Sequence, residues 1–176
     1  MSNGLTDAAL AHSPLARGMG KAELQELLGM FEVTSHKPGE MIQAEGETSQ
    51  RLCVVLKGKC RIYKRAKSGE DQDLSVIESH GIFGEMSFFN PAPHSASVQA
   101  LTEVELAEIR REKFDILTRV GSTAAQKLAF NMLGVLIERV RKMDAWIADR
   151  LEQHKTAPHK EEWMDFQRKL YTGWTF

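Results

Sequence analysis

Between residues 31 and 110 the chain is punctuated by turn signals at nearly regular intervals: Pro38-Gly39, Glu45-Gly46, Lys57-Gly58-Lys59, Lys67-Ser68-Gly69, His80-Gly81 and Asn90-Pro91. Glycine and proline interrupt helix and strand alike, so no long element can cross this region. What remains between the turns are short apolar runs. Residues 52–56, 60–63, 74–77, 95–100 and 104–109 suit strands. Short strands at even spacing predict a small sandwich, roll or barrel rather than βαβ units.

The flanks have a helical period. Over 21–30, Leu24, Leu27 and Leu28 fall on one face, with Phe31 at its end. After Arg111, Phe114, Leu117 and Val120 suit a short helix. From Gly121 the chain then runs without proline to about residue 154, with one internal glycine, Gly134. Along it Ala129, Leu133, Leu136, Val140, Met143 and Ile147 follow spacings of 4, 3, 4, 3 and 4, the seam of a coiled coil. A helix of about 30 residues is about 45 Å long, more than a small roll can cover. Leu128, Met132 and Val135 form a second stripe, assigned to packing on the roll. Two apolar stripes need two partners, which predicts a homodimer through 129–147.

The expected division is a weakly ordered 1–12, a roll with flanking helices at 13–120, the dimerisation helix at 121–154 and an aromatic tail at 155–176. The tail holds a short helix at 161–171 with Trp163, Phe166 and Leu170 on one side, followed by Trp174 and Phe176. Aromatics of this density are expected to dock, on the protein's own roll or its dimer mate, with a protein partner bound through 161–176 as the sharper reading.

Net charge is −1, without the basic excess of a general nucleic-acid binder. The two cysteines, Cys53 and Cys60, are expected to be reduced strand residues in a cytoplasmic protein. No metal motif, signal peptide or membrane-spanning run is expected, and no cofactor. Neither a Ser/His/Asp nor a Cys/His pattern supports hydrolysis. His80, His94 and Glu85 lack the H-x-H spacing of a metal-dependent β-roll enzyme, so the chain is expected to be non-catalytic.

Residues 81–98, G-I-F-G-E-M-S-F-F-N-P-A-P-H-S-A-S-V, concentrate the binding chemistry. Small residues expose backbone N–H groups, and consecutive exposed N–H groups make an anion-binding concavity. One acid beside it, Glu85, suits a ligand hydroxyl. The stretch reads as a pocket for a phosphorylated sugar.

Five landmarks in order carry a resemblance: P-G-E at 38–40, E-G-E at 45–47, L-C-V-V-L-K-G-K-C-R-I-Y at 52–63, G-I-F-G-E at 81–85 and R-R-E-K-F-D-I-L at 110–117. Together they resemble the cyclic nucleotide-binding domain of catabolite-activator-type regulators, kinase regulatory subunits and gated channels. The resemblance implies an α+β fold: a jelly-roll-like β-roll flanked by helices, with a long C-terminal dimerisation helix. It also implies a phosphate-binding cassette. In the family a short helix meets the cyclic phosphate, a glutamate accepts from the ribose 2′-OH, and an arginine nine residues later forks onto the phosphate. Carried over, Glu85 holds the ribose, the backbone of Gly84, Met86 and Ser87 lines sugar and phosphate, and Ser95 offers its hydroxyl and amide. Arg139, on the long helix, falls near the base.

The arginine position is occupied by His94. Imidazole is shorter than guanidinium and mostly neutral at pH 7. Losing a charge-assisted hydrogen bond costs on the order of 1.5–3 kcal/mol, roughly ten- to a hundredfold in affinity. Three states follow: weak cyclic nucleotide binding or binding only when His94 is protonated, a different ligand, or an empty pocket. The expected function is a cAMP- or cGMP-type sensor acting through a protein partner; the alternative is a degenerate, ligand-independent dimeric scaffold. With about two dozen residues after Leu151, no helix-turn-helix module and no direct DNA binding are expected.

Overall fold

The computed structural model of the chain describes residues 10–153. The predicted tail at 155–176 and the first nine residues of the weakly ordered segment lie outside the described residues. Leu10, by contrast, is fully buried, and Ser13 Oγ donates to its carbonyl at 2.7 Å.

A single 3-10 turn at Pro14–Ala16 precedes helix α1, Lys21–Met30. The strands follow: β1 Glu32–His36, β2 Met41–Gln43, β3 Arg51–Lys57, β4 Cys60–Arg65, β5 Asp71–Ile77 and β6 Ile82–Phe83. A short helix α2, Glu85–Phe89, separates β6 from β7, Ser97–Ala100, and β8, Val104–Arg110. Helices α3, Arg111–Arg119, and α4, Thr123–Gln153, complete the described chain. The predicted roll is therefore present: two antiparallel sheets in the orders β1-β8-β3-β6 and β2-β7-β4-β5, flanked by helices.

Side-chain alternation builds the core. Cys53 and Val55 on β3, Val104 and Leu106 on β8, Ile42, Cys60, Phe83, Val98 and Ala100 form one apolar cluster. Residues of opposite parity, Leu52 and Val54 on β3 with Ala107 and Ile109 on β8, are also fully buried. Both faces of that sheet are therefore buried, and the helices contribute further buried side chains, Leu27, Met30, Phe114, Leu128 and Met132. The other sheet has a wet face: β5 is exposed at every position except Ile77. Cys53 and Cys60 are free and buried; burial pushes the Cys60 thiol up to about 11, so neither is poised as a nucleophile.

The contacts divide the chain between Leu133 and Gly134. The start of α4 belongs with the roll: Lys127 Nζ reaches Glu23 Oε2 at 2.6 Å and the Gly18 carbonyl at 2.9 Å, and Asn131 Nδ2 donates to the carbonyls of Leu15 and Arg17. Within the seam, Leu133, Val140 and Met143 are each more than half exposed in the single chain, and Phe130, outside the seam, is 75% exposed. Leu128 and Met132 of the second stripe are fully buried. No helix among the described residues is long and apolar enough to cross a membrane.

Candidate functional site

The cassette begins where β6 ends. Gly84 has a φ of 81°, left-handed, and a Cβ there would stand 2.2 Å from the carbonyl oxygen of Arg51 on β3. Only glycine permits this turn against this strand. The turn starts α2 abruptly, with no side-chain cap, so the first amides, those of Met86 and Ser87 included, have no acceptor within the helix. Glu85 follows Gly84 directly and is 6% exposed; Met86 points outward at 61%.

The far end of α2 is fastened on all sides. Gln50 Nε2 donates to the Ser87 carbonyl at 3.2 Å, and Arg111 Nη1 donates to the carbonyls of Phe88 and Phe89 at 2.6 and 3.2 Å. A cation suits the negative end of a helix. Arg111 is itself held by Asp115 at 2.7 Å, and its backbone N–H donates to the Gln50 carbonyl. Beneath it the rings of Phe88, Phe89 and Phe114 meet edge to face, with centroids 4.9–5.8 Å apart. Phe88 is fully buried.

His94 occupies the position carried over from the family arginine, but its ring does not stand free as a phosphate ligand. It is 5% exposed. Its main chain is paired with the 46–47 loop, His94 N–H to the Glu47 carbonyl at 2.8 Å and Gly46 N–H to the His94 carbonyl at 3.0 Å. The Ser49 N–H donates to Nε2 at 3.3 Å, with Ser49 Oγ 2.7 Å from the same nitrogen. Ser87 Oγ lies 3.0 Å from Nδ1 and 3.2 Å from the Gly84 carbonyl. A backbone donor aimed at Nε2 makes that nitrogen an acceptor, so in the neutral ring Nδ1–H donates to Ser87 Oγ, whose hydroxyl in turn donates to the Gly84 carbonyl. His94 is thus a buttress behind the cassette. Its pKa lies below the ordinary value because burial disfavours the charged ring, with the Arg51 cation adding to the effect against an opposing contribution from Glu47. The protonated His94 considered from the sequence meets both obstacles.

The sign of the resulting pH dependence is fixed. The folded state holds the neutral ring, while the unfolded ring takes its proton at about 6.5. Stability from His94 is present above that value and is lost as pH falls through the depressed folded value. Wild-type melting temperature should therefore drop as pH is lowered below about 6.5, before the carboxylates titrate. His94→Gln should flatten that segment. Parallel curves for the two proteins would refute the assignment.

Of the residues singled out from sequence, the fold brings Gly84, Glu85, Met86, Ser87, His94 and Ser95 together. Ser95 is exposed, its hydroxyl 3.8 Å from Met86 Sδ. Arg139 is an exposed residue of the second compact unit. Sequence reasoning missed Ser49, Gln50, Arg51 and Glu108. Arg51 Nη1 pairs with Glu108 Oε2 at 3.0 Å, and Nη2 donates to the Ile42 carbonyl at 3.1 Å. Glu108, 7% exposed, also accepts from Thr34 Oγ1 at 2.8 Å. The signal was parity: Arg51 and Glu108 share the inward register of Cys53, Val55 and Leu106. A separate cleft of about 300 Å³, lined in part by Ser35, Lys37, Lys57 and Glu103, includes no cassette residue. Among the described residues no three His, Cys, Asp or Glu side chains gather as a metal site.

Two antiparallel sheets form the roll, with the glycine-turn helix α2 inserted between β6 and β7. Residues 33–119 match the cyclic nucleotide-binding domain, and the chain belongs to that family. A CRP-like cAMP-activated global transcriptional regulator of Mycobacterium tuberculosis is 27% identical over 143 residues, covering 81% of this chain and 62% of the relative. The cyclic AMP receptor protein of Thermus thermophilus is 30% identical over 132 residues, 75% of this chain and 59% of the relative. The crystal structure of the Thermus thermophilus catabolite activator protein superposes with a TM-score of 0.69 at 28% identity, covering 80% of this chain and 63% of that one. The chain spans about three-fifths of the length of these relatives.

Proposed function

We propose that the chain is a non-catalytic sensor whose cassette takes a cyclic nucleotide of the cAMP or cGMP type. One observation carries the reading: the Gly84 turn locks a short helix against Arg51 and sets Glu85 at its start, inside a cyclic nucleotide-binding domain. Glu85 is assigned to a ribose hydroxyl, and the amides of Met86 and Ser87, with Ser95, to the phosphate. The nucleotide is the only small molecule the reading invokes. Self-association through the exposed seam of α4, and output through a protein partner, complete it. The names of the relatives, a cAMP-activated regulator and a cyclic AMP receptor, support this ligand class.

The test is calorimetric titration with cAMP and cGMP, paired with thermal melting and light scattering. Nucleotide at about 100-fold its dissociation constant should stabilise the fold by roughly 2.7 kcal/mol. Leu136→Asp should yield monomers from a wild-type dimer. The absence of heat and of any melting shift at millimolar nucleotide would leave the second reading, a ligand-independent scaffold. The burial of His94, with both ring nitrogens committed to serines, is the observation on its side.

A further inference from the structure

A cyclic phosphate bound at α2 carries a negative charge, and the residue in the expected cationic position is a neutral, inward-facing imidazole. A charge brought into a half-buried site without a cation is costly. A bound phosphate therefore needs another cation near the cassette.

Arg111 is committed to the carbonyls of Phe88 and Phe89 and to Asp115, at the opposite end of α2 from Gly84. Arg51 is placed differently. Its own carbonyl is the atom against which Gly84 turns, and Gln43, next to the Ile42 carbonyl that Arg51 holds, has its Oε1 3.6 Å from a Gly84 Cβ. The side chain starts at the inward register of β3 and reaches the Ile42 carbonyl on the opposite sheet, bridging the two sheets beside the start of the cassette. It is 31% exposed, so the guanidinium is neither sealed off nor adrift in water.

We infer that Arg51 is the phosphate-holding cation of this chain, taking from β3 the role that the residue at position 94 cannot perform. The inference rests on the cyclic nucleotide reading of the cassette. Glu108 and the Ile42 carbonyl each engage one terminal nitrogen and fix the plane of the fork. Guanidinium has further N–H donors, and none of them has a protein partner among the described residues. A fork held from behind by a carboxylate loses little freedom on meeting an anion. Glu108 is in turn fixed by Thr34, with His36 Nε2 3.8 Å away, so the orienting group is itself held. The depressed pKa of His94 agrees, since Arg51 is one of its causes. On this account His94 and Arg51 divide the work of one residue: the imidazole supports the loop and the guanidinium supplies the charge.

The experiment compares cAMP with adenosine, which lacks the phosphate, by calorimetry on wild type, Arg51→Lys and the double variant Arg51→Met/Glu108→Met. The double variant replaces both members of the pair and leaves no buried charge behind. Arg51→Lys keeps the charge but loses the fork and guards against misfolding of the double variant. The expected result is a loss of roughly ten- to a hundredfold in cAMP affinity for the double variant, a smaller loss for Arg51→Lys, and unchanged adenosine affinity in both. Wild-type cAMP affinity in either folded variant would overturn the role of Arg51 while leaving the nucleotide reading intact. A wild-type protein that binds neither cAMP nor cGMP would overturn both.

Discussion

Phe88→Ala should destabilise the domain by roughly 3–5 kcal/mol, the usual cost of emptying a buried phenylalanine site. The ring is fully buried and meets Phe89 and Phe114 edge to face, so its removal opens a void between the cassette and α3. The surroundings cannot collapse into that void easily, because Arg111 and Gln50 pin the carbonyls on either side. Against a typical domain stability of about 5–15 kcal/mol this is a large share. It corresponds to a fall in melting temperature of roughly 6–20 °C. Phe88→Leu, which keeps most of the volume, should cost much less. A Phe88→Ala protein melting within about 2 °C of wild type would show that this cluster does not hold the cassette.

Gly84→Ala should cost on the order of 3 kcal/mol and weaken nucleotide binding with it. Two effects add. A φ of 81° is unfavourable for any residue with a Cβ, by roughly 1–2 kcal/mol. The new methyl would also meet the Arg51 carbonyl at 2.2 Å, a backbone atom that cannot swing away as a side chain could. Gly69→Ala separates the two. Its φ is 88°, but nothing lies within 4 Å of a Cβ there, so it carries the conformational cost alone. Urea unfolding of both variants reads the difference directly. Equal losses would remove the close approach between β3 and the cassette from the account.

The comparison of sequence with structure has a physical pattern. Turn pairs such as Lys57-Gly58 and His80-Gly81 marked strand ends because positive φ and chain reversal demand particular residues. Helix α1 was legible to the residue because its apolar period is intact. β1, by contrast, reads Glu-Val-Thr-Ser-His, without apolar alternation. It is a strand because β8 lies beside it, with Glu32 to His36 registered against Glu108 to Val104. Such pairing is set by residues about seventy positions away, which no local window contains. α2 is too short for a period, and only the glycine-acid motif announced it. The direction of the His94 side chain was not legible. Whether an imidazole faces ligand or core depends on Ser49 and Ser87, contributed by separate segments. Arg51 could have been found by counting parity along β3.

The Arg111 clamp has a mechanical consequence. One guanidinium holds the trailing carbonyls of α2, while the main chain of the same residue opens α3. The joint between them contains no slack segment: it is a hinge pin whose shaft is a side chain. On the sensor reading proposed above, a ligand that draws the 84–87 turn toward itself pulls on that pin, and the load reaches α3 through one side chain. In that linkage a single arginine side chain joins the cassette to the helix that leaves the roll.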